Sequence, residues 1–95
     1  MALTTVENNI NPIKCTGTTA TDEEIFGNPV FIKFVYWYNP TTSGHLLSLV
    51  DDKGEDIVVA RCETANESQW LPIYTRFNAI HCDDMDSGTL YIYIT

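Results

Sequence analysis

The sequence predicts an all-β fold: a single-domain antiparallel β-sandwich or small barrel of about seven strands, with an extended N-terminal arm. Three observations carry this. Clusters of Gly, Asn, Asp, Ser and Pro punctuate the chain at roughly the eight-to-twelve-residue spacing of a sandwich. The segments between them are short and rich in β-branched and aromatic residues. None of them repeats its apolar residues at helical spacing. The chain has 95 residues, which is one domain: residues 1–11 form the arm and residues 12–95 the sandwich.

Residues 1–11 (MALTTVENNIN) are polar and lack a strong period, as suits an arm that is free or lent to a neighbour. Pro12 to Thr16 gives a short first strand. Residues 17–29 read as loop, with one helical turn at Asp22 to Phe26 that Thr21 would cap. Val30 to Tyr38 (VFIKFVYWY) has no Gly or Pro inside. Strict alternation puts Val30, Ile32, Phe34, Tyr36 and Tyr38 on one face and Phe31, Lys33, Val35 and Trp37 on the other. Both faces are largely apolar, which predicts a central strand buried on two sides.

The turn residues of Asn39 to Gly44 end this strand. His45 to Val50 and Glu55 to Glu63 form a hairpin across Asp51-Asp52-Lys53-Gly54, with Gly54 where φ > 0 is required. Gln69 to Phe77 is a strand that Pro72 confines to an edge or a bulge. Ala79 to Cys82 is a further short strand. After the turn at Asp83 to Gly88, Thr89 to Ile94 closes the chain, with Leu90, Ile92 and Ile94 on one face and Tyr91 and Tyr93 on the other.

Charge excludes two partner classes. The chain carries 5 Lys+Arg against 13 Asp+Glu, a formal net charge of -8. Such a surface repels phosphate backbones and anionic lipid, so neither nucleic acid nor a membrane is an expected partner. The imbalance deepens along the chain. Before residue 51, Lys14 and Lys33 stand against Glu7, Asp22, Glu23 and Glu24; after it, Lys53, Arg61 and Arg76 face the other acids. Solubility alone accounts for this excess, although a basic partner or a cation would also suit it.

Cys15, Cys62 and Cys82 are odd in number and widely spaced, which argues against a disulfide framework and a structural zinc site and for buried free thiols. The start of the chain shows no signal-peptide pattern, and no apolar run approaches the ~20 residues of a membrane span.

Several groupings have the residue types for chemistry. His81-Cys82-Asp83-Asp84 sets four ligand types in a row, but neighbours in a strand point to opposite faces and do not chelate one ion. Cys62 or Cys82 with His45 has the ingredients of a nucleophilic site, without a surrounding signature. The turns at Asp51-Asp52 and Asp83 to Asp86 resemble half of a calcium loop, and would share an ion if they met at one end of a sandwich; both are also plain turn chemistry. Asn66-Glu67-Ser68 matches the glycosylation triplet, which has no meaning without secretion. No cofactor, metal or catalytic residue is expected, and the reading is non-enzymatic.

The aromatic residues are the strongest functional signal. A chain this short cannot bury all of its Phe, Tyr and Trp side chains. Exposed aromatics on a β face enter a protein interface or stack on sugar rings, with Trp37 or Trp70 as candidate platforms for the latter.

Trp70-Leu71-Pro72-Ile73-Tyr74, Phe77-Asn78-Ala79-Ile80 and Met85-Asp86-Ser87-Gly88-Thr89-Leu90-Tyr91-Ile92-Tyr93-Ile94 together resemble the C-terminal half of small auxiliary virion proteins of tailed bacteriophages. The resemblance covers roughly residues 45–95 and leaves residues 12–29 unmatched. It implies a capsid decoration, cement or tail-associated protein, made in the host cytoplasm and acting by protein–protein contact. Its partners would be other virion proteins and further copies of itself, a trimer for preference. The expected contact residues are Leu3, Val6 and Ile10 of the arm and Tyr36, Tyr38, Tyr91 and Tyr93. The alternatives are a small carbohydrate- or receptor-binding module, for which a glycan is the partner, and an acidic inhibitor of a host protein.

Overall fold

The computed structural model describes residues 3–95. It is a sandwich of two antiparallel sheets, and no helix occurs among the described residues. Nine strands follow in chain order: β1 (Leu3–Glu7), β2 (Ile13–Gly17), β3 (Glu23–Phe26), β4 (Val30–Tyr38), β5 (Leu46–Val50), β6 (Asp56–Arg61), β7 (Gln69–Phe77), β8 (Ile80–Met85) and β9 (Thr89–Ile94). One sheet has the order β1-β2-β9-β4-β7 and the other β3-β8-β5-β6. The predicted fold class is therefore correct, with two strands beyond the seven expected.

The core lies between the sheets. Ile13, Cys15, Ile32, Val35, Trp37, Leu90 and Ile92 point inward from the five-stranded sheet. Ile25, Leu47, Leu49, Cys62, Ile80, Cys82 and Met85 meet them from the other side. Each fully buried Leu or Ile contributes roughly 1.5–3 kcal/mol through removal from water. The hairpin at Asp51 to Gly54 forms as expected between β5 and β6, and Gly54 has φ +81°. Asp51 organises it: its Oδ1 accepts from the N–H groups of Lys53 and Glu55, both at 2.9 Å.

Both extra strands arise where the sequence reads as something else. Residues 3–7 are not a free arm: they pair with β2 of the same chain, and Leu3 is buried in the core. Leu3 and Val6 supply too little apolar surface to mark a strand by pattern, but the edge of β2 offers unpaired backbone groups that β1 satisfies. The helical turn expected at Asp22 to Phe26 is instead β3, paired with β8 and anchored by buried Ile25. Non-local pairing overrides a short helical signal here, because one turn of helix has no cooperativity to defend it.

Strand β4 departs from strict alternation. Its register with β9 shifts between Ile32 and Phe34, so both Lys33 and Phe34 lie outside the core while Ile32 and Val35 both point inward. The expected two faces are thus exchanged midway by a bulge. The inner face becomes Val30, Ile32, Val35 and Trp37, and the outer face carries Phe34, Tyr36 and Tyr38. The strand is central, as expected, but it is buried on one side only.

Strand β7 is the edge strand that Pro72 demands, and it too is bulged, opposite Lys33. Tyr74 within this bulge has φ +51°, which non-glycine residues seldom adopt. Side chains tie the open edges of one sheet to those of the other. The Leu3 N–H donates to Glu23 Oε2 (2.9 Å) and Asn8 Nδ2 to the Ile25 carbonyl (2.8 Å), joining the β1 and β3 sides. Gln69 Nε2 donates to the Arg61 carbonyl (2.8 Å), joining β7 to β6.

Candidate functional site: an aromatic face on the five-stranded sheet

The outer face of the five-stranded sheet follows from strand order and register. Glu7 on β1 pairs with Lys14 on β2, Lys14 with Tyr91 on β9, Tyr91 with Tyr36 on β4, and Tyr36 with Trp70 on β7. Paired residues share a face, so this single row crosses all five strands. A second row pairs Tyr93 with Phe34 and Phe34 with Pro72. Tyr38 lies opposite Thr89 in a third.

The rings in these rows touch. Tyr36 stacks on Trp70 with centroids 4.2 Å apart, and Phe34 stacks on Tyr93 at 4.4 Å. Phe34 meets Trp70 at 5.1 Å, and Tyr36 lies 6.0 Å from Tyr38 and 6.2 Å from Tyr91. Such contacts contribute about 0.5–1.5 kcal/mol per pair beyond simple burial and restrict ring motion. Tyr36, Tyr38, Tyr91 and Tyr93 line an open depression of about 260 Å³. Trp70 beside it is 59% exposed and Tyr38 is 49% exposed. Lys14 brings its Nζ to 6.0 Å from the centroid of the Tyr91 ring.

The four tyrosines expected to make contacts are therefore gathered into one surface. The other three expected contact residues are not. Leu3 belongs to the core, Val6 packs against it, and Ile10 is exposed in the β1–β2 connection. Trp37 is also excluded as a platform: it is fully buried, and its indole N–H donates to the Ser87 carbonyl at 2.8 Å. Phe34, Trp70 and Lys14 complete the surface.

A polar hub underlies the Tyr38 end of this face. Ser87 Oγ accepts from the Thr41 N–H (2.9 Å) and meets His45 Nδ1 at 2.7 Å. Gly88 follows with φ +84°, and a Cβ there would stand 2.7 Å from the Tyr38 carbonyl and 2.9 Å from Trp37 Nε1. Only glycine fits this close approach of backbone to backbone. The hub fixes where β4 ends and β9 begins, the two strands that supply all four tyrosines.

The groupings with the residue types for chemistry are not assembled for it. Cys15, Cys62 and Cys82 are buried free thiols. Burial pushes Cys15 up to about 12, aided by the charge of Glu23, and burial does the same for Cys82, aided by Cys15. Both are thus protonated and unreactive. The Cys62 thiol is directed at the Thr64 carbonyl (3.2 Å), while the His45 ring is taken by Ser87. His81 and Cys82 point to opposite sides of β8, and His81 pairs with Asp22 at 3.1 Å.

The turn expected from Asp83 is in part strand: Asp83 and Asp84 belong to β8, and Asp84 lies opposite Ser48 in the middle of β5, while Asp51 follows Val50 beyond the end of β5. Ser48 and Asp51 are about 10 Å apart along the strand, so the two acidic segments do not converge on one ion. No group of three or more metal-ligating side chains occurs among the described residues. Asp84 is raised to about 6, first by desolvation and then by its hydrogen bond to Asp86 and the charges of Asp86 and Asp83. Asp86 is held below the usual carboxylate range: desolvation opposes this, but the Asp84 contact and the Leu46 N–H prevail.

No family model matches the chain, and no curated protein matches it. Among solved structures it is similar to a fucose binding module of Streptococcus pneumoniae, SpX-3, at 10% sequence identity and a TM-score of 0.49. The similarity covers 94% of this chain and 69% of that one.

Proposed function

We propose that this chain is a non-enzymatic carbohydrate-binding module whose working surface is the aromatic outer face of the five-stranded sheet. The observation that carries the reading is the depression lined by Tyr36, Tyr38, Tyr91 and Tyr93, with Trp70 stacked beside it. Pyranose rings present one face of C–H groups, which packs on aromatic rings, and a rim of hydroxyls, which phenol groups bond as donor or acceptor. At about 260 Å³ the depression is somewhat below the roughly 300–1,000 Å³ typical of sites for drug-sized ligands, and its size suits one or two sugar rings. The rings are already held by mutual stacking, so binding freezes few rotamers.

The test is titration of glycans against tryptophan fluorescence. Trp37 is buried and Trp70 is exposed, so a change on binding reports the face directly. A saturable response that is lost in Tyr36→Ala supports the reading.

A second reading keeps the virion expectation. In it the same aromatic face seats on another virion protein or on another copy of this chain, and the protein is an auxiliary component of a particle. The resemblance of residues 45–95 and the exposure of Tyr38, Trp70 and Tyr74 favour it. The clasping arm has no part in it, because residues 3–7 are committed to the chain's own sheet. Light scattering discriminates the self-associating form: a mass of 10.7 kDa at high concentration counts against self-association, and a trimer supports it.

A further inference from the structure

Charge is distributed unevenly between the two sheets. The five strands that carry the aromatic face hold Lys14, Lys33 and Arg76 against one acid, Glu7, a net of +2. All four side chains lie outside the core. The strands of the other sheet hold Glu23, Glu24, Asp56, Asp83 and Asp84 against Arg61, a net of -4. In a chain of net charge -8, the strands that bear the exposed rings carry more cations than acids.

One of these cations stands beside the depression. Lys14 Nζ lies over the Tyr91 ring, which lines the depression together with Tyr36, Tyr38 and Tyr93. No carboxylate forms an ion pair with Lys14; among the described residues the one ion pair is His81 with Asp22. Glu7 stands opposite Lys14 on β1 without forming an ion pair, so the ammonium keeps its donors available to an incoming anion.

We propose that the sugar bound at this face is acidic: a pyranoside carrying a carboxylate, of the uronate or sialate kind, with its ring on the tyrosines and its carboxylate at Lys14. This rests on the carbohydrate reading and deepens it. A single carboxylate seated at Lys14 senses Lys14 and its strand neighbour Glu7, because charges beyond about 8–10 Å are screened at physiological salt. An extended polyanion, by contrast, would run off this face onto the acidic remainder of the molecule, which disfavours a nucleic acid strand.

The experiment is isothermal titration of the full chain with matched pairs: trigalacturonate against its methyl ester, and sialyllactose against lactose. Each is run on wild type, Lys14→Gln and Glu7→Gln, with a thermal melt confirming that the variants fold. The acid member of a pair is expected to bind about two- to tenfold tighter than its neutral partner, the range of a partly exposed charge contact. Lys14→Gln should erase that preference, bringing the acid member of each pair to about the affinity of the neutral one measured on the same variant. Glu7→Gln should increase the preference, and raised salt should shrink it.

Equal binding of acid and neutral partners, or a preference that survives Lys14→Gln, overturns the acidic-sugar inference and leaves the carbohydrate reading standing. Binding of neither member of either pair overturns the inference, and a neutral-glycan panel on the same protein then decides the broader reading separately. Tighter binding of oligouridylate than of any sugar overturns both.

Discussion

Tyr36 lies on Trp70 with centroids 4.2 Å apart and planes inclined by 25°, across the β4–β7 pairing. Neither ring belongs to the core: Trp70 is on an edge strand and 59% exposed. A stacked pair this accessible supports the sheet modestly and is available to a ligand. Trp70→Ala should therefore lower stability by only about 0.5–1.5 kcal/mol in urea denaturation, while removing most glycan binding. A larger stability loss would assign the pair to the fold.

The hub at Ser87 and Gly88 has the opposite balance. Gly88→Ala sets a Cβ 2.7 Å from the Tyr38 carbonyl at φ +84°, and Trp37→Phe removes the hydrogen bond to the Ser87 carbonyl. Each should cost about 1–3 kcal/mol. Because β4 and β9 meet there, Gly88→Ala should also weaken glycan binding although the residue does not line the depression. Urea denaturation and the fluorescence titration check the two parts.

Deletion of residues 1–7 removes β1 and its buried Leu3. The expected result is a stability loss of about 2–4 kcal/mol, the range for emptying a buried leucine site. A free arm would be lost without any shift in the unfolding midpoint.

The thiols provide a test of burial. Cys15 and Cys82 are both pushed up to about 12, and Cys62 is fully buried. The native protein should leave all three unreacted with an aromatic disulfide reagent at neutral pH, and all three should react in denaturant. Rapid labelling of the native state would mean that the sandwich opens.

Asp84 makes stability depend on pH in a defined direction. Its value of about 6 in the folded chain is above the ordinary 3.8. Its protonated form is thus favoured by folding, and its contribution is complete below about pH 4 and lost as pH rises through about 6. Asp84→Asn keeps the neutral form at all pH. Above pH 6 the variant should be more stable than wild type by about 1 kcal/mol, allowing for solvent screening, and the gap should close toward pH 4. Asp86 and Asp51, both lowered, act in the opposite sense and weaken the fold as pH falls below the ordinary carboxylate value.

The legible parts of this structure are those where a strong local pattern meets no conflict. Thr89 to Ile94 alternates cleanly, so the outward placement of Tyr91 and Tyr93 follows directly. Asp51 to Gly54 marks its hairpin through one glycine and one turn-forming aspartate. The bulge at Lys33 and Phe34 is invisible in VFIKFVYWY, because both faces of that run are apolar and a change of face leaves no trace in hydropathy. Strands β1 and β3 are hidden for another reason: each is short, outwardly polar, and formed by pairing with a strand distant in sequence or at an edge. Strand order is non-local as well. Lys14 and Trp70 reach the tyrosines only because β2 and β7 flank the β9–β4 pair, and no feature of residues 13–17 signals a place beside an aromatic surface.

The measurement that bears most directly on the central claim is a tryptophan-fluorescence titration of the wild-type chain with a broad panel of soluble glycans, repeated on Tyr36→Ala and Tyr91→Ala. A saturable change is expected for at least one sugar class and its loss in both variants, with Trp37 emission unaltered in its buried site. A flat response across the panel in the folded wild-type protein, or a response unchanged by removing either tyrosine, would contradict that claim.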